Sequence, residues 1–114
     1  MKNNSNTKEI NLTYIPQGMK TTVGEILELV KADINITDEL EGLDYEILEM
    51  RVIGSRTTGK AKWKSDLDIL MQYKGDARED DMFNAFCRMK IEIDGIRVDI
   101  NPIKEKIDIY LKRI

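Results

Sequence analysis

The stretch Gly54-Ser-Arg-Thr-Thr-Gly-Lys-Ala-Lys-Trp-Lys-Ser-Asp-Leu-Asp-Ile69 decides the fold of this chain. It links two runs, residues 46–53 and residues 67–73, whose patterns are typical of strands. A glycine-serine pair is expected to end the first strand, and Gly59 to turn the backbone again inside the connecting loop. The loop therefore brings the end of one core strand to the start of the next.

Two aspartates, Asp66 and Asp68, stand where the second strand begins. Side chains alternate between the faces of a strand, so residues two apart share a face at a spacing of about 6.6–7 Å. The two carboxylates therefore point the same way, while Leu67 and Ile69 point into the core. Carboxylates placed together repel each other, and folding alone gives no reason for them. A hard divalent cation such as Mg²⁺ supplies one, because it prefers carboxylate oxygen.

This pattern resembles the signature of the DNA polymerase β-like nucleotidyltransferase superfamily, and most closely that of its minimal members, the MNT type. The positions that carry the resemblance are Gly54, Ser55, Gly59, Ser65, Asp66 and Asp68. The family also has an acidic residue on a later strand, and Asp99 in the run Ile96–Ile100 fits that place. Asp94 is the alternative, but it precedes Gly95 in a dipeptide that favours a hairpin turn.

The resemblance implies the roles of these residues. Two Mg²⁺ ions about 3.5–4 Å apart can clamp the attacking and leaving oxygens of a phosphoryl transfer. The residues expected to bind them and to act in catalysis are Asp66, Asp68 and Asp99. The residues expected to contact the phosphates of ATP or another NTP are Gly54, Ser55, Arg56, Lys60 and Ser65. Ser65 is equally suited to supporting the loop.

The loop is basic within an acidic chain. Arg56, Lys60, Lys62 and Lys64 are either counter-charges for a triphosphate or a solvated surface, and Arg56 is the strongest candidate for a bidentate contact. Thr58 stands where many minimal members carry a second arginine, and Lys60 can substitute for it. Trp63 is the single tryptophan of the chain. Its indole is suited either to stacking on a base or acceptor, or to packing over the loop.

Composition limits the class of protein. The chain has 114 residues, of which 41% are apolar, enough for one small core. The net charge of the chain, −3, argues against bulk nucleic acid as a partner. Without histidine, neither a histidine general base nor a Ser-His-Asp triad is available. The lone cysteine, Cys87, cannot form an internal disulfide, and we expect a cytoplasmic protein with no membrane segment.

The order of elements predicts an α+β fold with a small mixed β-sheet and helices packed mainly on one face. We expect residues 1–20 to be a flexible N-terminal segment with a candidate edge strand at Ile10–Tyr14, and residues 21–114 to form a single domain. A capping box, Thr22 with Glu25, predicts a helix directly after it. Further helices are predicted over Glu79–Met89 and over Lys104–Arg113.

The strands are predicted from their alternation. In the first strand Leu48, Met50 and Val52 are expected on one face, and Ile47 and Ile53 on the other. Pro102 is expected to stop the third strand. Residues 90–93 are compatible either with the end of a helix or with a strand that pairs around Asp94-Gly95.

Three functions are compatible with the sequence. The first is a Mg²⁺-dependent nucleotidyltransferase that transfers an NMP from an NTP to an acceptor hydroxyl, with AMP from ATP as the first choice. By resemblance the acceptor is a partner protein such as a HEPN-type ribonuclease toxin, with this chain as its antitoxin. The second is a non-catalytic binding module or antitoxin that keeps the fold. The third, weaker one is an aminoglycoside-type small-molecule nucleotidyltransferase, for which the added helical domain is missing. A homodimer is one way to complete the acceptor side.

Overall fold

The computed structural model describes residues 11–113. Its helices are α1 (Val23–Ile36), α2 (Ser55–Thr58), α3 (Glu79–Met89) and α4 (Ile107–Lys112). Its strands are β1 (Glu46–Ile53), β2 (Leu67–Lys74), β3 (Glu92–Ile93) and β4 (Ile96–Ile103). The strands form a four-stranded sheet in the order β1-β2-β4-β3. Because β2 and β4 run parallel while both outer pairs are antiparallel, the sheet is mixed, and the predicted α+β class is confirmed.

Helices α1 and α3 follow their local signals, whereas α4 begins only at Ile107 and the one-turn helix α2 was not predicted. Thr22 caps α1: its hydroxyl accepts from the Glu25 backbone N–H, and the Glu25 carboxylate accepts from the Thr22 N–H. The α1 side chains that enter the core recur at helical spacing, namely Val23, Ile26, Leu27, Val30 and Ile34. Helix α3 has the predicted bounds. Lys90 then adopts a left-handed conformation, so β3 pairs with β4 around Asp94-Gly95.

The two faces of the sheet have different coverings. Alternate residues of β2, Leu67, Ile69, Met71 and Tyr73, are fully buried in the main core with α1 and α3. The other face is covered by α4, where Ile107 packs with Leu70 and Ile103 in a smaller cluster. Asp68 lies on this second face, two residues before Leu70, because side chains of a strand alternate. Helix α4 thus covers one end of the face that carries the candidate carboxylates.

The predicted faces of β1 need a correction. Ile47 pairs with Tyr73 and Glu49 with Gln72, so Leu48 is an extra residue, a β-bulge, with 47% of its surface exposed. The bulge resets the alternation, so Ile47 packs on the main core with Met50 instead of lying opposite it. Beyond the bulge the prediction is right, since Ile53 packs on the other face.

The prediction that Pro102 stops the third strand is wrong. Strand β4 continues to Ile103, and Pro102 pairs with Met71 of β2. Strand β3 pairs only with Ile96 and Arg97, so within residues 11–113 no strand lies along the outer edge of β4 at Pro102. A proline is tolerated at such an edge because no neighbouring strand needs its missing N–H.

The segment before α1 packs on the rest of the molecule through turns. The described part of the candidate edge strand, from residue 11 onward, contains no strand, so that prediction is wrong there. Instead Pro16 and Met19 are buried, and the Tyr14 hydroxyl donates to the Thr57 carbonyl (3.3 Å). The first ten residues of the predicted flexible segment, including Ile10, lie outside the described residues. None of the helices in the described part is long and apolar enough to cross a membrane.

Candidate active site

The parallel pairing of β2 and β4 puts Asp68 beside Asp99. These two residues are register partners in the ladder. Neighbouring strands lie about 4.7–4.9 Å apart, and paired residues project to the same face. The face is also that of Asn101, whose amide donates to the Tyr110 hydroxyl of α4 (3.2 Å). Both carboxylates are half-buried, next to the region that α4 covers.

The electrostatics of Asp68 reflect this crowding. Burial raises the pKa of the Asp68 carboxyl, and the charges of Asp99 and Asp66 raise this pKa further. Asp66, which directly precedes β2, is therefore close enough to affect Asp68, as the alternation predicts. The ionised form of Asp68 is therefore destabilised by burial and by the charges of Asp66 and Asp99. A bound cation would offset this destabilisation.

Gly54 lies against the Asp68 carboxylate. The antiparallel pairing of β1 with β2 sets Ile53 opposite Asp68, so the next residue, Gly54, passes over it. A Cβ atom built on Gly54 would overlap Asp68 Oδ2 and lie 3.2 Å from its Cβ. Gly54 also has a φ of 90°, in the left-handed region that side chains disfavour. This close approach of the backbone to the Asp68 carboxylate therefore requires a glycine at position 54.

Ser55 begins the one-turn helix α2 directly after this close approach. The turn ends at Gly59, which is left-handed with φ 77° and whose N–H donates to the Ser55 carbonyl. Ser55 is half-buried, whereas Lys60, just beyond the turn, is exposed. Among the residues predicted to contact phosphates, Gly54 and Ser55 thus lie beside the carboxylates, and Lys60 lies on the open side of the loop.

Arg56 has an environment different from that of an exposed phosphate ligand. Only 3% of its surface is accessible. Its guanidinium donates to the backbone carbonyls of Ser65 (2.6 and 2.9 Å) and Gln17 (2.7 Å), with longer bonds to Lys62 and Trp63 (3.4 Å each). Because these bonds occupy most of the five N–H groups of an arginine, the side chain holds the loop together rather than pointing to a ligand.

Ser65 has the loop-supporting role that was one of its two predicted roles. Its hydroxyl oxygen accepts from the Lys62 N–H at 3.0 Å, and its own N–H donates to the Lys62 carbonyl at 3.0 Å. The resulting turn directly precedes Asp66. Ser65 therefore fixes how the chain enters β2 and, through it, where Asp66 and Asp68 lie.

Sequence reasoning missed Gln17, which fastens the loop from outside. Its side-chain oxygen accepts from the Ala61 N–H (2.9 Å), and its amide donates to the Ala61 carbonyl (3.3 Å). Gly18 beside it leaves room for Arg56, since an added Cβ would lie 2.7 Å from Arg56 Nη1. Both residues are distant in sequence from the loop, and no local pattern signals such a contact.

The carboxylates suit a hard divalent cation by their chemistry, since all the donors are oxygens and their charges add. Within residues 11–113, however, no three Asp, Glu, Cys or His side chains are arranged as a ready metal cluster. The observed pair is Asp68 with Asp99, and Asp66 is the neighbour that adds its charge. These three residues fit Mg²⁺ in type, since each supplies carboxylate oxygens.

The fold and this site together define the class: an α+β domain with a pair of strand carboxylates beside a glycine-serine turn. Residues 34–114 match the family model described as a nucleotidyltransferase domain. The match spans more than half of the chain, so the protein belongs to the nucleotidyltransferase domain family, whose general activity is the transfer of a nucleoside monophosphate. Comparisons with curated proteins and with solved structures gave no match.

Proposed function

We propose that this chain is a Mg²⁺-dependent nucleotidyltransferase of the minimal type, which transfers AMP from ATP to a hydroxyl group of a partner protein. The observation that carries the proposal is the register pairing of Asp68 with Asp99 directly beside Gly54. The paired carboxylates could hold a cation, and the turn at Gly54 has no side chain that would obstruct a phosphate chain bound to that cation. Phosphoryl transfer depends mainly on positioning and charge neutralisation, so this arrangement supports the proposal.

In the proposed reaction the acceptor oxygen attacks the α-phosphorus of ATP. The new O–P bond forms as the bond between the α-phosphorus and the bridging oxygen breaks, and pyrophosphate leaves with the electron pair of that bond. By resemblance to the family, Asp99 would receive the proton of the acceptor hydroxyl. Mg²⁺, when held by Asp66, Asp68 and Asp99, would neutralise the developing charge. Gly54 and Ser55 would bind the phosphates, with Lys60 as a flexible counter-charge.

The acceptor is proposed to be a HEPN-type toxin, so that modification by this chain makes it an antitoxin. This part of the proposal rests on the resemblance to minimal family members. A non-catalytic antitoxin of the same fold is the second candidate. The engagement of Arg56 with backbone carbonyls favours it, because that arginine is no longer available to a triphosphate.

The test is label transfer from ATP labelled at its α-phosphate, with Mg²⁺ and the purified protein encoded by the neighbouring gene. The wild type should label the acceptor, and Asp66→Asn with Asp68→Asn should lower the rate at least about 1,000-fold, as loss of electrostatic stabilisation does in other enzymes. Asp38→Asn, which removes an exposed carboxylate outside the site, is the matched control. Tight binding and neutralisation of the partner by the double variant, with no label from the wild type, would favour the non-catalytic candidate.

A further inference from the structure

The loop before β2 ends in a tight turn that presents Trp63 at its tip. The Ser65 N–H closes the turn on the Lys62 carbonyl at 3.0 Å, which leaves Trp63 and Lys64 as its two central residues. The indole is 84% exposed. Packing over the loop, one of its two predicted roles, is therefore wrong. The Lys64 ammonium lies over its ring, with Nζ 4.8 Å from the ring centroid.

This tip is held firmly from within. The guanidinium of Arg56 bonds the carbonyls on both sides of the turn, at Lys62 and Ser65, and that of Trp63 between them. Gln17 fixes Ala61 with two further hydrogen bonds. An exposed large side chain on a backbone held by a buried arginine is preorganised, so little conformational freedom is lost when a partner covers it.

The charge around Trp63 is opposite to that of the whole chain. Lys60, Lys62 and Lys64 are exposed, and none of them pairs with a carboxylate within residues 11–113. The chain as a whole carries a net charge of −3. Three unpaired cations within five residues therefore form a local basic surface, named here the lysine–tryptophan turn (residues 60–65). Its complement is an acidic surface.

The shape of the turn favours a protein over a nucleic acid. Proteins that bind single strands place aromatic side chains in a basic groove that follows the backbone. Here the indole lies at the tip of a turn, and the rest of the chain is acidic. A projecting tryptophan bordered by charges is instead typical of the anchor residues of protein interfaces. The turn also leads directly into Asp66, so a partner bound to it would lie next to the candidate active site.

We propose that the lysine–tryptophan turn is the docking site for the acceptor protein. Trp63 would enter an apolar slot on the acceptor, and Lys62 and Lys64 would pair with carboxylates around that slot. This inference rests on the proposed function, because it concerns the acceptor of that reaction. It assigns acceptor affinity to Trp63, Lys62 and Lys64, and leaves ATP binding and the chemical step to Gly54, Ser55, Lys60 and the aspartates.

The experiment measures label transfer over a series of acceptor concentrations for the wild type and Trp63→Ala. The variant should raise KM for the acceptor at least about tenfold with kcat nearly unchanged, as expected for loss of an interface anchor. Its affinity for ATP, measured by calorimetry, should equal that of the wild type. Lys62→Glu with Lys64→Glu should raise KM as well, and added salt should weaken acceptor binding by the wild type only.

Two variants serve as controls. Ile36→Ala removes an apolar side chain that is 80% exposed on α1, and Lys31→Glu reverses an exposed charge on the same helix. Both should leave KM unchanged. A fluorescein-labelled single-stranded RNA is the competing probe: if it binds at micromolar concentration and Trp63→Ala abolishes this binding, the protein assignment is overturned.

The outcomes separate this inference from the proposed function. If the wild type labels the acceptor and Trp63→Ala does so with the same KM, only the docking inference fails. If Trp63→Ala weakens ATP binding instead, Trp63 is a platform for the base and the docking inference fails too. If the wild type binds ATP but labels no protein, the proposed function fails, and the docking inference falls with it.

Discussion

At the scale of single residues, Asp68 is where folding and the proposed chemistry make opposite demands. Its carboxylate is partly buried under Gly54 and lies between Asp66 and Asp99, and its pKa is raised as a result. The folded protein therefore holds this proton more tightly than the unfolded chain does. The stability linked to that proton is complete below the ordinary carboxyl pKa of 3.8 and is lost as the pH rises through the raised pKa.

At neutral pH the ionised Asp68 is thus expected to weaken the fold, and Asp68→Asn should raise Tm by a few degrees in metal-free buffer. The gain should vanish as the pH falls below the ordinary carboxyl range, because both proteins are then neutral at this position. Mg²⁺ should raise the Tm of the wild type but not that of the variant. Thermal unfolding followed by circular dichroism tests this, with Asp38→Asn as control. A variant less stable than the wild type at pH 7.5 would contradict it.

At the scale of elements, the loop between β1 and β2 is organised by a buried cation without a carboxylate partner in residues 11–113. Arg56 is surrounded instead by carbonyl oxygens of Gln17 and of the turn that ends at Ser65. Replacing it leaves these acceptors without donors, and the loop would lose one of its connections to the segment before α1. The strand that follows would then begin without a fixed position for Asp66.

Arg56→Ala should therefore lower the free energy of unfolding by about 1–3 kcal/mol, the cost of leaving buried polar groups unpaired. Arg56→Lys should recover little of it, since one ammonium group cannot reproduce the planar fork. Urea unfolding measures both. Lys60→Ala, which removes an exposed cation from the same loop, should stay within about 0.5 kcal/mol of the wild type. If Arg56→Ala leaves the stability unchanged but weakens ATP binding, the prediction that Arg56 contacts phosphate would be supported instead.

At the scale of the whole molecule, Asp94 connects the β3–β4 turn to the segment that precedes α1. It lies in the β3–β4 turn with a φ of 56°, and its carboxylate accepts from the backbone N–H groups of Lys20 (2.7 Å) and Thr21 (3.0 Å). The Thr21 hydroxyl donates to it as well, at 3.1 Å. The segment thus anchored continues into α1 on one side and reaches the loop through Gln17 on the other. Asp94 is a structural residue, as the turn pattern predicts.

The hydrogen bonds from Lys20 and Thr21 hold the pKa of Asp94 below its usual value. The stability that Asp94 contributes is therefore present above the ordinary carboxyl pKa and is lost as the pH falls through the lowered one. Asn tolerates the left-handed conformation, so Asp94→Asn mainly removes the charge. The variant should have a lower Tm at pH 7, and the deficit should shrink in acid. A deficit that does not change with pH would show that the charge has no role.

The parts of this structure that sequence predicted are those with local causes. The start of α1 follows from the Thr22 capping box. The charge of Asp66 reaches Asp68 because residues two apart along an extended chain lie close together. The parts that it missed depend on contacts distant along the chain. Arg56 was predicted to bind phosphate because nothing local indicates that the carbonyls of Gln17 and Ser65 surround it. Similarly, Pro102 is tolerated in β4 because the short β3 ends before it and leaves that edge of β4 unpaired in the described residues. The local sequence around Pro102 does not indicate how far β3 extends.

The extra residue in β1 has a consequence for how the molecule behaves in concentrated solution. An outermost strand offers a row of unpaired N–H and C=O groups on which another chain can grow. At Leu48 this row loses its regular spacing, and the added twist turns the following groups out of line. We therefore expect that a second copy does not pair along the full length of this edge. The bulge that brings Ile47 into the core thus also opposes edge-to-edge aggregation.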